Sequence, residues 1–182
     1  MIQSNMPVVR AATMDDTPQL GRFGTLLMAM HNAWDPVRFI PTGSGTPDKY
    51  ARFLAERITC PETVLFVAEK DNKVAGYVYG EVEGPDYMAL RGPAGVIHDI
   101  FVDQSERNGG IGTALLDAAM SALAKLGAPQ LVLETAAKNE TAQRLFTRAG
   151  FRQTMLEMSR SFSKPSLAIG YEPGPGSVTR SF

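Results

Sequence analysis

Residues 107–112, with the sequence R-N-G-G-I-G, form a glycine-rich segment that is suited to bind a phosphate group. The segment follows a strand-like stretch at residues 96–102, and a helical pattern begins directly after it at Ile111. The first backbone N–H groups of a helix lack partners within the helix and lie at the positive end of its dipole. Because small residues leave these groups accessible, the segment predicts an anion site at the start of a helix.

Two familiar phosphate-binding motifs do not fit this segment. A dinucleotide-binding G-x-G-x-x-G would place a third glycine at the position of Leu115. A P-loop would place a lysine directly before Thr113, but Gly112 stands there. Both motifs are therefore excluded.

A second segment, residues 139–151, has the sequence N-E-T-A-Q-R-L-F-T-R-A-G-F and predicts a capped amphipathic helix. The pattern R-x-x-G-x-G followed by N-x-x-A-x-x-L-F-x-x-x-G-F resembles the two signatures of the GNAT superfamily of N-acyltransferases, in the same order. The resemblance extends over residues 64–158. It implies an α/β fold of the GNAT kind, with a mixed, mostly antiparallel central sheet flanked by helices on both faces, and acetyl-CoA as cofactor.

The resemblance also implies where the cofactor binds. Backbone N–H groups of residues 108–113 would hold the pyrophosphate of acetyl-CoA, and the main chain of residues 100–102 would pair with the pantetheine arm as a peptide adds to a sheet edge. Arg107 would lie at the loop entrance, Asn139 near the pantetheine and Phe146 near the thioester sulfur. The implied cofactor-binding residues are Ile100, Phe101, Val102, Arg107, Asn108, Gly109, Gly110, Ile111, Gly112, Thr113, Asn139 and Phe146.

The chain departs from the family pattern at Phe146. Many members carry a tyrosine there, which is thought to reprotonate the departing thiolate, and phenylalanine cannot do so. Three alternatives stay open: another tyrosine (Tyr77, Tyr79 or Tyr87) serves, water serves, or catalysis is lost. Because a thiol has a pKa near 8.5, the thiolate leaves without obligatory protonation, and Phe146 does not exclude catalysis.

Acetyl transfer to an amine needs the neutral amine, whereas an amine with a pKa near 10.4 is mostly protonated at pH 7. A general base therefore helps, and the candidates are His98, Asp99 and Glu134. Because side chains alternate along a strand, we expect only one of His98 and Asp99 to face the site. His98 lies where some polyamine-acetylating relatives place a glutamate base, but a structural role explains it equally well. A solvated or capping role is the alternative for Glu134.

Three aromatic residues, His31, Trp34 and Phe39, fall in a segment that we expect to connect the first two helices. In the family this region shapes the acceptor pocket, and plain packing is the alternative explanation. Backbone N–H groups near Phe101 and Val102 are candidates for stabilising the oxyanion that develops during the reaction.

Hydrophobic periodicity and turn residues predict the element order β-α-α-β-β-β-α-β-α-β. The helix from Ile111 to Leu126 has the clearest pattern, because its apolar residues recur at i, i+3 and i+4. This alternation indicates a mixed sheet with helices on both faces. The predicted strands are residues 8–10, 64–69, 74–83, 96–102, 131–133 and 151–158, and the other helices begin at Thr13, Thr46 and Asn139.

The composition is typical of one globular domain, with 182 residues of which 44% are hydrophobic. We expect this domain to cover residues 1–163 and to be followed by a Gly/Pro-rich tail at 164–182. The net charge of −1 favours neither nucleic acid nor an anionic membrane. Cys60 is the single cysteine, so no internal disulfide forms, and a cytoplasmic location is expected. We predict no metal site, no signal peptide and no membrane span.

These features predict an N-acetyltransferase that moves an acetyl group directly from acetyl-CoA to a primary amine, through a ternary complex and a tetrahedral intermediate. The expected partner is a small-molecule or peptide amine, and a homodimer is an open alternative to a monomer. The competing functions are a non-catalytic acyl-CoA sensor, which Phe146 favours, and a nucleotide-binding domain of another kind. An enzyme would release free thiol when an amine is added, whereas a sensor would bind acyl-CoA without releasing thiol. A nucleotide-binding domain would show competition between CoA and ATP or NAD.

Overall fold

A computed structural model describes residues 6–162 of the chain. The strands and helices alternate along the described part much as the sequence predicts. Their bounds are β1 (Val8–Ala11), α1 (Thr17–Trp34), α2 (Thr46–Ile58), β2 (Thr63–Lys70), β3 (Lys73–Glu83), β4 (Ala94–Val102), α3 (Ile111–Lys125), β5 (Leu131–Leu133) and α4 (Glu140–Arg148). Single 3-10 turns, Met14–Asp16 and Gln104–Glu106, precede α1 and follow β4.

One five-stranded sheet contains these strands in the order β1-β2-β3-β4-β5. The first four strands are antiparallel neighbours, whereas β5 runs parallel to β4. Asp71 and Asn72 connect β2 to β3 with φ values of 51° and 59°, which is the left-handed conformation of a tight hairpin turn. The predicted mixed, mostly antiparallel sheet is thus confirmed.

Two apolar clusters cover the two faces of the sheet. On one face, the stripe of α3 that includes Ile111, Leu115 and Leu123 packs on Val78 of β3 and on α4. On the other face, α1 and α2 bury Phe23 and Leu54 against the tyrosines of β3. Burial of this apolar surface is the main force that holds the helices on the sheet, at about 25 cal/mol per Å².

The structure differs from two of the predicted elements, the end of the first helix and the last strand. Helix α1 continues to Trp34, so His31 and Trp34 lie in its last turn and not in a connecting loop. Residues 151–158 form no strand, although their sequence favours one. A strand requires a partner edge, and the three residues of β5 offer a short one. Met155 and Leu156 are accordingly more than 70% exposed.

The proposed tail at residues 164–182 lies outside the described residues. Within residues 6–162, no helix has both the length and the apolar character that a membrane crossing requires.

Candidate active site

The sheet opens between β4 and β5. The two strands pair only at Gly95–Ile97 and Leu131–Leu133, although β4 continues to Val102. The N–H of Asp103 donates to the carbonyl of Ala75 at 2.8 Å, which sets the phase of the antiparallel ladder with β3. Because ladder bonds alternate, the main chain of Phe101 is engaged with β3, whereas the N–H and C=O groups of Ile100 and Val102 face the opening.

The glycine-rich segment lies at the end of β4 and leaves the start of α3 accessible. Asn108 and Gly110 have positive φ values of 65° and 81°, which turn the chain sharply into the helix. Gly110 is the N-cap, and no side chain caps the first turn. A β-carbon at Gly110 would meet no atom within 4 Å. The mouth of α3 is therefore open to a ligand, as the anion-site prediction requires.

Arg107 bends back from this loop toward the open edge of β4. Its Nε donates to the carbonyl of Val102 at 3.1 Å, and its guanidinium lies 5.9 Å from the centre of the Phe101 ring. The Arg107 side chain is therefore hydrogen-bonded to the Val102 carbonyl, which is one of the main-chain groups that face the opening.

Helix α4 supplies the last two residues of the implied cofactor site. The side chain of Asn139 caps the helix by accepting from the N–H of Ala142 at 3.2 Å. Phe146 is only 6% exposed, belongs to the cluster under α3, and lies 6.1 Å from the ring of Phe151. Phe146 therefore has an evident packing role in addition to the position that the resemblance implies.

A bulge in β4 changes the predicted alternation of His98 and Asp99. Tyr79 of β3 lies opposite Asp99, but the next residue, Gly80, lies opposite Ile97, so His98 is an extra residue in the strand. The rings of His98 and Tyr79 stack, and Asp99 contacts Tyr77. Both side chains consequently lie on the α1–α2 face of the sheet, and the expectation that only one would do so is wrong.

Asp99 is a half-buried residue whose carboxylate lies beneath α2 and accepts two hydroxyl hydrogen bonds. The hydroxyl of Tyr77 donates to it at 3.0 Å, and the hydroxyl of Tyr50 donates to the same carboxylate oxygen. Burial raises the pKa of Asp99, and the tyrosine bonds partly offset that effect. Burial and the Asp99 charge raise the pKa of both tyrosines well above 10, so both remain donors at neutral pH.

His98 lies between two carboxylates of β3. Its Nε2 is 3.1 Å from Glu83 and 3.6 Å from Glu81. Burial alone would lower the pKa of His98, but the two carboxylates outweigh burial and raise it. The ligand atoms of these residues lie within 4.8 Å of one another, a spacing that a metal ion also accepts. Arg91 already pairs with Glu83 at 2.6 Å, however, and charge pairing accounts for the cluster.

The end of α1 extends across the opening on this same face. The carbonyl of Trp34 accepts from Nζ of Lys138 at 2.6 Å, and Lys138 follows β5. Arg38 forms an ion pair with Glu157, with Nη2 at 2.7 Å from Oε2. Exposed Glu134, directly after β5, adds its charge to the surroundings of Arg38. The last turn of α1, which carries His31 and Trp34, therefore lies next to the segment that follows β5.

Tyr50, Glu81 and Glu83 are residues of this region that the motifs did not indicate. The pattern Y-x-Y-x-E-x-E at residues 77–83 was a usable signal, since alternate residues of a strand share a face. Nothing local in α2 indicates that Tyr50 reaches Asp99, because that contact depends on how α2 packs on the sheet.

Comparisons with known proteins agree with this geometry. The model of the acetyltransferase (GNAT) family matches residues 27–151. The N-alpha-acetyltransferase of Sulfurisphaera tokodaii is 33% identical over 113 residues, which are 59% of this chain and 68% of that protein. The mycothiol acetyltransferase of Thermobispora bispora is 31% identical over 98 residues, which are 52% of this chain but only 32% of that protein.

Solved structures share the fold at low sequence identity. A mutant of the BH1408 protein from Bacillus halodurans has a TM-score of 0.74 and 18% identity, over 86% of this chain and 99% of that chain. The aminoglycoside N-acetyltransferase AAC(6')-Iy in complex with CoA has a TM-score of 0.64 and 16% identity, over 90% of this chain and 99% of that chain. The family match, the sheet order and the open strand edge lead to one conclusion: this chain belongs to the GNAT family of acetyltransferases.

Proposed function

We propose that this protein transfers an acetyl group from acetyl-CoA to a primary amine by direct attack in a ternary complex. The observation that supports the proposal is that an unpaired strand edge and an uncapped helix start lie next to each other. The unpaired edge of β4 at Ile100 and Val102 leads directly to the uncapped first turn of α3. A thioester arm that ends in a pyrophosphate matches this arrangement, because the strand edge binds amides and the helix mouth binds the anion.

The cofactor would use main-chain groups for most of its contacts. N–H groups of residues 108–113 bind the pyrophosphate, and Ile100 and Val102 pair with the pantetheine amides. Arg107 must leave the Val102 carbonyl when the arm binds, and its guanidinium then becomes available to the phosphates. The expectation that Phe101 pairs with the pantetheine arm is wrong, because its main chain is engaged with β3 and its ring is buried against Phe23.

The amine would approach from the α1–α2 face. Its nitrogen attacks the thioester carbonyl carbon, the C–S bond of the tetrahedral intermediate breaks, and the nitrogen loses its remaining extra proton. Main-chain N–H groups at the open edge of β4 are placed to stabilise the oxyanion, and the geometry favours Val102 over Phe101 for this role.

Two of the three sequence candidates for the base are engaged with neighbouring side chains, and the third is exposed. His98 lies between two carboxylates, Asp99 accepts from two hydroxyls, and Glu134 is exposed near Arg38. We propose that these residues influence the acceptor amine through their charges. Asp99 is the nearest of them to the open edge of β4, because the main chain of the next residue, Ile100, faces that edge.

Protonation of the departing thiolate by water is the alternative that the geometry favours. The hydroxyl of Tyr77 is bonded to Asp99, and that of Tyr79 is bonded to Glu81 at 3.0 Å. Tyr87 lies in the loop before β4 and is 85% exposed. The packing role of Phe146 also weakens the argument that its lack of a hydroxyl marks a sensor.

Two measurements test the proposal. Calorimetric titration with acetyl-CoA should show binding, and ATP and NAD should not compete. Release of free thiol should then follow the addition of a peptide with a free N-terminus, an aminoglycoside or 2-phenylethylamine. Binding without thiol release across this panel would support the sensor instead, and competition by ATP or NAD would support the nucleotide-binding alternative.

A further inference from the structure

We propose that His31, in the last turn of α1, accepts the proton of the acceptor amine. This inference rests on the proposed acetyl transfer and adds the base that the three sequence candidates do not supply. It depends on three observations: the hydrogen bond of one ring nitrogen, the position of the ring over the opening, and the contrast with the other histidine of the chain.

The first observation concerns the two nitrogens of the His31 ring. Nδ1 lies 2.8 Å from the carbonyl of Leu27. A carbonyl only accepts, so Nδ1 must carry the hydrogen, and the lone pair of the neutral ring is then on Nε2. Among residues 6–162 the structure gives Nε2 no hydrogen-bond partner, and it is not a buried unpaired atom either. His31 therefore presents a free basic nitrogen in one defined tautomer.

The second observation is the position of the ring. His31 makes edge contacts with Trp34 at 5.1 Å and with Phe39 at 5.0 Å, measured between ring centres. A positive charge on this ring would lower the pKa of Asp99 of β4, and the neighbouring Trp34 carbonyl accepts a hydrogen bond from Lys138 beyond β5. The helix end that carries His31 thus reaches both sides of the opening between β4 and β5.

The third observation is the contrast with His98. The chain has two histidines. Nε2 of His98 lies between Glu81 and Glu83, and because carboxylates only accept, this nitrogen carries a hydrogen and offers no lone pair to a substrate. His31 has no carboxylate within ion-pair distance among the described residues, so its lone pair stays available.

The proton transfer balances without another reactant. Nε2 takes one proton from the ammonium form of the acceptor, and the neutral nitrogen then forms its bond to the acetyl carbon. The C–S bond breaks with the electron pair leaving on sulfur, and the second proton of the nitrogen passes to this thiolate through water. His31 then passes its proton to water. The titratable and charged groups around this helix end are Asp99 of β4, Arg38, Glu134, Lys138 and Glu157.

Two substitutions separate this chemistry from packing. His31→Asn retains an amide donor for the Leu27 carbonyl, and His31→Phe retains the ring contacts with Trp34 and Phe39; neither has the Nε2 lone pair. For the most reactive basic amine of the panel, both should lower kcat about 100-fold. The affinity for acetyl-CoA should stay within about twofold of the wild-type value, because His31 lies outside the phosphate loop.

A weakly basic amine provides the internal control. O-methylhydroxylamine is neutral at pH 7, so its reaction should lose far less in both variants than the reaction of the basic amine. Added imidazole should restore part of the rate in His31→Ala. An active wild type with equally active variants would overturn the role of His31 alone, whereas a wild type that acetylates no amine would overturn the proposed function.

Chemical modification of the histidines tests the same proposal without an acceptor amine. Diethyl pyrocarbonate acylates the unprotonated nitrogen of an accessible imidazole, and mass spectrometry of the intact protein and its peptides locates the adduct. His31 should react first and His98 slowly. Equal reactivity, or an unreactive His31, would contradict the free lone pair on which the proposal depends.

Discussion

Gly24 of α1 lies directly against the ring of Tyr50 of α2, so closely that a β-carbon at Gly24 would overlap the ring. The hydroxyl of the same tyrosine donates to Asp99 at the β4 bulge. The missing side chain at Gly24 is therefore what allows α2 to place a phenol over the buried carboxylate.

We expect Gly24→Ala to push the Tyr50 ring away from Asp99. Overpacking of this kind costs about 1–3 kcal/mol of unfolding free energy, partly offset by the higher helix propensity of alanine. Turnover should fall with it, because Asp99 loses one of its two donors. Gly43→Ala is the matched control, since a β-carbon there meets nothing within 4 Å. Equal unfolding midpoints and rates for the two variants would contradict the coupling.

Gly110→Glu should abolish binding of acetyl-CoA, because it places a bulky negative group at the mouth of α3. Gly127→Glu is a close control at the other end of the same helix. Both glycines have positive φ, 81° and 91°, and neither would place a β-carbon within 4 Å of another atom. The two variants therefore share the backbone strain and the added charge, and they differ in the end of the helix dipole. Calorimetric titration should detect binding only with the Gly127 variant; similar affinities would refute the phosphate site.

A buried ion pair holds the start of α1 to the sheet edge. Asp16 is 6% exposed and accepts from Arg10 of β1 through both oxygens, at 2.8 and 2.9 Å. The Arg10 guanidinium lowers the pKa of Asp16 from 3.8 to about 2. A carboxyl with a lowered folded-state pKa stabilises the fold above its unfolded pKa, and this stabilisation disappears as the pH falls from 3.8 towards 2.

Asp16→Asn should therefore lower the unfolding free energy at pH 7 by about 2 kcal/mol. The difference from the wild type should shrink as the pH falls below 3.8. Asp15→Asn, one residue earlier and exposed, should change little. Urea unfolding at pH 7 and at pH 2.5 measures both effects; a difference that is independent of pH would show that the ion pair is not its source.

Local patterns predicted the elements of this fold better than they predicted the site. The helix from Ile111 and the turn at Asp71 depend on neighbouring residues alone, through periodicity and backbone conformation, and both were found as predicted. The strand at residues 151–158 depends on a partner edge elsewhere in the sheet, which no local pattern reports.

The site depends on such distant relations even more. The bulge that turns His98 to the same face as Asp99 appears only when the register between β3 and β4 is known. The tautomer of His31 likewise follows from the helical geometry that brings Leu27 within reach of its ring. The proposed phosphate site was identifiable from the sequence because it consists of consecutive main-chain groups of one glycine-rich segment.

The His98 cluster should give the stability of this protein a dependence on mildly alkaline pH. The carboxylates of Glu81 and Glu83 raise the folded-state pKa of His98 above 6.5 despite its burial. A histidine of this kind stabilises the fold fully below its unfolded pKa, and the contribution is lost as the pH rises through the folded-state value. The pKa of Glu81 is lowered, mainly by the neighbouring His98 ring at 3.6 Å, so the ion pair persists into the acid range.

His98→Gln should therefore destabilise the protein at pH 6 and do so less at pH 9, because the wild-type histidine loses its proton as the pH rises through its raised pKa. Glu81→Gln should show the same trend, since it removes the other half of the pair. The other charged or titratable groups around the cluster are Arg57 of α2, Arg91 and Asp99. Thermal unfolding of the three proteins in matched buffers measures the differences. A constant gap between wild type and His98→Gln from pH 6 to pH 9 would mean that packing on Tyr79, and not charge, is what His98 contributes.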